Sequence, residues 1–429
     1  MNCLRRLALV AIAVAILAAP ALVPAADSGQ LILKKGDKLA IVGDSITEQK
    51  MYSRIMETYL TVCTPELDLW TIQLGWGGET AGGFCGRMQQ DLISFKPNVA
   101  TFCYGMNDGG YRAYEEGIGK GYGNNMKKIV DTLKAAGAIA LVGSPGCVDL
   151  ETWKKPEDAE IYNQSLGKLG EIDAQIAKDA GMPFADLHTL MYDVMKKAQA
   201  AHEGGKFPVC GGDGVHPDWD GQLIMAYAFL KGLGVSGDIG TITVDMAGDA
   251  KATDGHKVLS GKNGTVELES TKYPFCFSGD AKLPNSTKSI LPFLPFNQDL
   301  NRLTLVVKGV KGEKATVTWG KESKTFTKDQ LAKGINLAAE FFDNPFAEAF
   351  KKVDDAVGQK QGYETFMIKE AYRTLGGLAN QMKDDAEGAA AVKVIQARLT
   401  ARHDALAKAA KAAFVPVKHT IAVVEGEAK

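Results

Sequence analysis

The stretch KLAIVGDSIT at residues 38–47 passes from an apolar run to a glycine and then to polar residues. Such a run is typical of a buried strand, and the glycine marks the turn that ends it. Similar strand-like runs follow along the chain (Leu69–Leu74, Val99–Tyr104, Ile139–Gly143, Phe184–Leu187). Amphipathic stretches with helical spacing separate them (Met51–Leu60, Ala113–Ala136, Asp158–Ala180). This alternation predicts an α/β domain over residues 30–238, with a parallel sheet between layers of helices.

The sequence changes character after residue 238. Short β-like runs are separated by Gly, Asn, Asp and Lys (Gly264–Glu269, Leu303–Val307, Ala315–Trp319). An Ala-rich, charged helical pattern extends from about residue 344 to 413, and a strand-like run follows at residues 419–424. We therefore expect a β-rich accessory segment over residues 239–340 and a mainly helical C-terminal region over residues 341–429. A coiled coil is one alternative for the helices, but packing against the chain's own domain is the commoner outcome.

The N-terminus has the pattern of an export signal. Arg5 and Arg6 precede the apolar run Leu7–Ala19, and small residues follow up to Ala26. This order predicts a signal peptide over residues 1–26 and a periplasmic or extracellular protein. The run is shorter than the roughly 20 residues that span a bilayer, so we expect no stable membrane span after cleavage.

Composition excludes several function classes. The 429 residues carry a net charge of -2, and no Lys/Arg cluster interleaved with aromatic residues is present, which argues against nucleic-acid binding. Six cysteines follow the signal and none has CxxC spacing, so a cysteine-based zinc site is not expected. A bridge between Cys147 and Cys210, which both follow strand-like runs, is a hypothesis. No metal or organic cofactor is required by the chemistry below.

Four segments carry residues suited to acyl transfer. Ser45 follows the first strand at a turn where its hydroxyl can be exposed. Gly78 lies in a glycine-rich turn whose backbone N–H can approach a ligand closely. Asn107 follows the third strand and offers a neutral amide donor for a developing oxyanion. Asp213 and His216 are three residues apart, which lets the carboxylate orient the imidazole.

Each segment also has a structural alternative. Ser45 could be an ordinary helix N-cap, Gly78 a residue of a tight turn, and Asn107 a turn residue. Among the other histidines, His188 is interpreted as structural. The remaining four lie in polar or terminal contexts, so we expect them to be solvated (His202, His256, His403, His419).

The four segments in this order resemble the sequence blocks of the SGNH hydrolase superfamily, also called GDSL esterases and lipases. The resemblance covers residues 38–235 and implies a flavodoxin-like sheet. It implies Ser45, Asp213 and His216 as the catalytic residues, with Ser45, Gly78 and Asn107 forming an oxyanion hole. Asp44 and Asp108 would shape the turns that carry the site. Gln73 departs from the asparagine that is common near the second block.

The resemblance implies a serine esterase that acts on a small-molecule or polysaccharide ester. Trp76, Tyr104, Tyr111 and Trp219 lie close to the motifs and could contact substrate, although a packing role is equally consistent with each. Export and family analogy favour deacetylation of O-acetylated carbohydrates. The alternatives are a lipase or lysophospholipase, and a non-catalytic carbohydrate-binding protein of the same fold. The β-rich segment could bind carbohydrate, but without a Trp/Tyr platform we favour a structural role.

Overall fold

The computed structural model describes residues 30–203 and 205–425. The signal peptide predicted over residues 1–26 lies outside the described residues. The first domain alternates strands β1 (Lys38–Gly43), β2 (Trp70–Gln73), β3 (Val99–Cys103), β4 (Ile139–Gly143) and β5 (Phe184–Ala185) with helices α1 (Ser45–Glu48), α2 (Tyr52–Cys63), α3 (Ala81–Asp91), α4 (Glu116–Ala135), α5 (Pro156–Ala180), α6 (Leu187–Ala201) and α7 (Trp219–Gly232). Two short 3-10 turns lie at Pro65–Leu67 and Ile93–Phe95.

The five strands form one parallel sheet in the order β2-β1-β3-β4-β5. Leu39 and Ile41 of β1 contact one apolar core, and the intervening Ala40 and Val42 contact a second core. Because both faces are covered, β1 and β4 are nearly continuous apolar runs rather than alternating ones. The predicted α/β fold with a flavodoxin-like sheet is confirmed. Strand order reverses between β1 and β3, which is where ligands bind in such sheets.

The β-rich part contains two further sheets. Strands β6 (Asp238–Asp245), β7 (Ala250–Ala252), β8 (His256–Lys262), β9 (Thr265–Ser270), β10 (Arg302–Lys308), β11 (Lys314–Trp319), β12 (Glu322–Thr327), β13 (Ile335–Asn336) and β14 (Val417–Glu425) form them, with the short helices α8 (Phe296–Leu300), α9 (Lys328–Lys333) and α10 (Leu337–Glu340). One sheet has the order β13-β10-β6-β7 and the other β12-β11-β14-β9-β8. The domain boundaries at residues 238 and 340 stay predictions, and the chain returns from the helical region to place β14 inside the second sheet.

The C-terminal helices are α11 (Ala347–Phe366), a π-helical segment at Met367–Tyr372, α12 (Arg373–Gln381) and α13 (Ala386–Ala413). A buried ionic cluster joins α11 to the first domain. Lys360 is fully buried, with its Nζ 3.1 Å from Glu57 Oε1, beside Glu364 and 3.0 Å from the Thr71 carbonyl. Burial lowers the pKa of Lys360, but the two carboxylates raise it further, so the net pKa lies above the usual value. Buried charges of this kind hold their elements together because separating them leaves an unpaired charge.

The expectation that His256, His403 and His419 are solvated is wrong, because all three are buried. His403 Nε2 lies 2.8 Å from Glu364 Oε1. His256 and His419 each approach Ser270 Oγ at 2.8 Å, and the indole of Trp319 donates to His419 Nδ1. Burial, with His256 close by, lowers the pKa of His419 to about 3. These histidines therefore connect elements that pack together. Their neighbours in the sequence are polar, which is why the sequence predicted exposed side chains.

Within residues 30–203 and 205–425, no helix combines the length and the apolar character needed to cross a membrane.

Candidate active site

The turn between β1 and α1 presents Ser45 at the edge of the sheet. Asp44, rather than Ser45, caps α1, because its Oδ1 accepts the backbone N–H of Ile46 at 3.0 Å. Ser45 is therefore not the N-cap of α1, which was the structural alternative for this residue, and its hydroxyl makes no capping hydrogen bond. The hydroxyl oxygen lies 2.8 Å from Nε2 of His216. Ser45 is half-buried, so it stays accessible to a small reactant.

The loop before α7 places the carboxylate of Asp213 beside the second ring nitrogen of His216, Nδ1. Asp213 Oδ2 lies 2.7 Å from His216 Nδ1, and its Oδ1 accepts the backbone N–H groups of Val215 and His216 at 2.9 Å. Partial burial raises the pKa of Asp213, but the His216 and Val215 contacts lower it to a net value below the usual range. Asp213 therefore stays ionised and can stabilise a protonated imidazole. Ser45, His216 and Asp213 form one continuous chain of contacts.

Asn107 lies in the loop after β3, beside the turn that carries Asp44 and Ser45. Its Nδ2 donates to the Glu79 carbonyl at 3.0 Å and lies 3.4 Å from Asp44 Oδ2. Tyr111 donates its hydroxyl to Asn107 Oδ1 at 2.8 Å. Because the Glu79 carbonyl can only accept, its contact identifies the NH₂ end of the amide, and Oδ1 is left to accept from Tyr111. The amide is therefore held in one orientation beside Asp44, the residue that precedes Ser45.

The glycine turn containing Gly78 faces Ser45 from the β2 side. Gly78 has φ +72°, a left-handed conformation that favours glycine, and it is exposed. A Cβ built on the adjacent Gly77 would lie 4.0 Å from Ser45 Cβ, which shows how close the turn comes to the serine. The turn that carries Gly77 and Gly78 therefore lies beside Ser45, and the role of Gly78 in an oxyanion hole stays a prediction.

Contacts from outside the four motifs hold the glycine turn. Glu48, at the end of α1, accepts the Gly77 backbone N–H with one carboxylate oxygen. Its other oxygen lies 2.5 Å from Nζ of Lys369 in the π-helical segment. Gln73, the residue that departs from the family pattern, donates its backbone N–H to Glu364 at 2.9 Å and accepts the Gly75 N–H with its side chain. The sequence carried no local signal for these contacts.

Buried carboxyl groups shape the turns, as expected for Asp44 and Asp108. Burial raises the pKa of Asp44 to about 7. Burial likewise raises the pKa of Asp108 to about 6, while the backbone N–H groups of Ala81 and Gly105 that it accepts oppose the rise. Asp108 thereby joins the loop after β3 to the start of α3.

The four proposed substrate contacts differ in their exposure. Tyr104 is fully buried and donates its hydroxyl to Glu79, which places it out of reach of substrate and favours the packing role. Tyr111 is 46% exposed beside Asn107. Trp76 is half-buried, with Arg87 and Lys369 at 5.0 and 5.3 Å from its ring. Trp219 is half-buried at the start of α7, with the Arg54 guanidinium 5.9 Å from its ring.

The sulfur atoms of Cys147 and Cys210 lie 3.5 Å apart as free, buried thiols. The hypothesised bridge is therefore not formed in this structure, although the two residues are neighbours. Among residues 30–203 and 205–425, no group of three or more His, Cys, Asp or Glu side chains has the arrangement of a metal site.

Comparison with known proteins agrees with the geometry. A sequence model of the GDSL-like Lipase/Acylhydrolase family matches residues 41–224. An acetylxylan esterase of Geobacillus stearothermophilus is 23% identical over 221 residues, covering 46% of this chain and 94% of its own. An isoamyl acetate-hydrolyzing esterase of Saccharomyces cerevisiae is 23% identical over 213 residues, covering 46% of this chain and 85% of its own. The structure of a gut microbial diltiazem-metabolizing enzyme covers 92% of this chain and 100% of its own, with TM-score 0.71 and 22% identity, so the two share a fold.

Proposed function

We propose that Ser45 is the nucleophile of this chain and that O-acetylated carbohydrates are its substrates. The premise is that residues 41–224 form a GDSL-like lipase/acylhydrolase domain and that the reaction is ester hydrolysis. The observation that carries the nucleophile assignment is the Asp213–His216–Ser45 chain, with contacts of 2.7 and 2.8 Å. A non-catalytic carbohydrate-binding protein has no need of this arrangement.

The reaction proceeds in two halves. His216 Nε2 takes the hydroxyl proton while Ser45 Oγ attacks the ester carbonyl carbon. The negative charge that develops on the carbonyl oxygen is stabilised by the backbone N–H groups of Ser45 and Gly78 and by the amide of Asn107. The tetrahedral species collapses, His216 returns the proton to the departing alcohol oxygen, and the acyl group stays on Ser45.

Water then replaces the alcohol. His216 removes a proton from the water as its oxygen attacks the acyl carbon, and the same donors stabilise the second oxyanion. Collapse breaks the bond to Ser45 Oγ, which takes the proton back from His216. Each turnover therefore consumes one ester and one water and releases one alcohol and one carboxylic acid, and the enzyme returns to its starting state.

The substrate class is supported by the relatives. The names of both curated relatives refer to acetate esters, and one of them is an ester of the polysaccharide xylan. A short acyl group also suits a site in which the glycine turn stands close to Ser45. We further propose that the N-terminal residues 1–26 direct the protein to the periplasm or the extracellular space, where acetylated polysaccharides are met.

The test compares wild type with Ser45→Ala and with Ser94→Ala, which alters an exposed serine far from the triad in sequence. Rates are measured on p-nitrophenyl acetate and octanoate and on acetylated xylan. We expect wild type and Ser94→Ala to prefer acetate and to release acetate from xylan, and Ser45→Ala to do neither. Full activity of Ser45→Ala would disprove the nucleophile. A preference for octanoate would disprove the carbohydrate deacetylase and favour a lipase.

A further inference from the structure

The alcohol part of the substrate lies on the His216 side of the active site. This step rests on the proposed function, in which His216 Nε2 hands its proton to the departing alcohol oxygen. In the proposed mechanism the acyl oxygen faces the oxyanion donors, Gly78 and Asn107. We therefore expect the alcohol to occupy a space that adjoins the Asp213–His216 loop.

A cleft of about 630 Å³ adjoins that loop. Asp213 and Val215 form one wall of the cleft, so the cleft adjoins the loop that carries Asp213 and His216. Tyr111, Trp153 and Tyr162 also line it. The volume falls within the range of small-molecule sites. We call this space the Tyr111 cleft.

Three stacked rings make up its aromatic lining. The ring centroids of Tyr111 and Trp153 are 5.9 Å apart at 28°, and Tyr162 lies 5.3 Å from Tyr111 and 5.7 Å from Trp153. Tyr162 is buried and anchors the group by donating its hydroxyl to the Met106 carbonyl. Tyr111 and Trp153 keep part of their surface open to solvent. Two aromatic surfaces thus stay exposed beside a catalytic loop.

The backbone of Tyr111 is held in an unusual conformation. Its φ is +57°, in the left-handed region that a bulky side chain rarely adopts. The hydroxyl contact with Asn107 and the stacking on Trp153 and Tyr162 hold it there. Strain that persists under such constraints is common at ligand-binding sites. One ring therefore contributes both to the cleft and to the position of the oxyanion donor.

The rim of the cleft is polar. Arg112, Lys154, Lys155 and Asp158 line it, and the ion pairs that Arg112 and Lys155 make are long, at 3.6 and 3.8 Å, and exposed. A long acyl or alkyl chain would need a continuous apolar wall, which these residues interrupt. A ring with flat C–H faces and a rim of hydroxyl groups matches an aromatic lining with a polar rim.

We propose that the Tyr111 cleft binds a pyranose ring that carries the ester, stacked on Tyr111 and Trp153. The ring enters with its acylated oxygen toward His216, and its free hydroxyl groups face the charged rim. The proposal assigns Trp153, which lies outside the four motifs, to substrate recognition, and the buried Tyr162 to holding the two exposed rings in place.

The test compares two esters of very different alcohols, methyl tri-O-acetyl-xylopyranoside and ethyl acetate. Trp153→Ala should lower kcat/KM for the xylopyranoside by roughly three- to tenfold, mainly through KM, because one stacked ring contributes that much. Ethyl acetate should be hydrolysed within about twofold of the wild-type rate, since ethanol is too small to reach the ring. Phe366→Ala, which removes another exposed aromatic on α11, should change neither ester.

Tyr111→Phe separates the two contributions of that residue. It keeps the ring and removes the hydroxyl, so kcat should fall for both esters while the ratio of their KM values stays unchanged. An equal loss on both esters in Trp153→Ala, or no loss on either, would overturn the pyranose assignment.

Calorimetry keeps the cleft testable even without turnover. Ser45→Ala should bind methyl xylopyranoside, and the same chain with Trp153→Ala added should bind it roughly three- to tenfold more weakly. If wild type hydrolyses neither ester, the proposed function fails, and this titration still decides the cleft. Equal binding by both chains would refute it.

Discussion

Asn107→Ala should reduce kcat by about 10²–10³ while KM changes little, because the amide is used mainly when charge develops on the carbonyl oxygen. That loss corresponds to about 2.7–4 kcal/mol of transition-state stabilisation. Besides a longer contact of 3.4 Å to Asp44 Oδ2, the side chain makes two hydrogen bonds, from Nδ2 to the Glu79 carbonyl at 3.0 Å and from the Tyr111 hydroxyl to Oδ1 at 2.8 Å. At about 1 kcal/mol for each bond, the free energy of unfolding should fall by about 1–2 kcal/mol. The catalytic loss therefore exceeds the stability loss.

The assay measures kcat and KM on p-nitrophenyl acetate, and guanidinium chloride unfolding followed by circular dichroism. Asn124→Ala, at an exposed position on α4, is the matched control and should leave both measurements unchanged. If Asn107→Ala kept kcat within about threefold of wild type while remaining folded, the amide would not be an oxyanion donor and the reasoning would be refuted.

Two further changes follow from the same structure. Lys369→Met removes the cation that pairs with Glu48, whose carboxylate holds the Gly77 turn, so kcat should fall roughly tenfold with KM nearly constant. Lys369→Arg should retain most of the activity, and the control Lys351→Met, in an exposed ion pair, should retain all of it. Equal activity of Lys369→Met and wild type would exclude a role for the Lys369–Glu48 contact. Folding lowers the pKa of His419 from 6.5 to about 3, so between these pH values the unfolded chain binds more protons than the folded chain. The contribution of His419 to the free energy of unfolding is complete above pH 6.5 and should decline by on the order of 3 kcal/mol as the pH falls from 7 to 4. In His419→Gln the free energy of unfolding should depend less steeply on pH. If the free energies of unfolding of wild type and His419→Gln depended equally on pH, the lowered pKa of His419 would be contradicted.

The first domain could be predicted because its signals are local. Apolar runs and turn residues identified the five strands, and Ser45, Asn107 and His216 each follow a recognisable segment. The differences are at the ends: β5 stops at Ala185 because Asp186 caps the next helix, accepting the Thr189 N–H with its side chain.

The outer part of the site could not be predicted in this way. Lys369 contacts Glu48 across 321 residues, and a lysine on an amphipathic helix has the same local sequence whether it is exposed or paired. Lys360 illustrates the same limit, since it is fully buried in a stretch whose charges suggest a solvated face. The position of β14 between β11 and β9 likewise depends on which distant strand it pairs with, which propensity does not encode.

Covalent trapping tests the central claim most directly. The purified chain is treated with diethyl p-nitrophenyl phosphate, which transfers a diethylphosphoryl group to an activated serine and releases p-nitrophenol. Peptide mass mapping should find one such group, on Ser45, with loss of esterase activity in proportion to labelling and no label in His216→Ala. A label on another residue, or an active chain with Ser45 fully labelled, would contradict the assignment of Ser45 as the nucleophile.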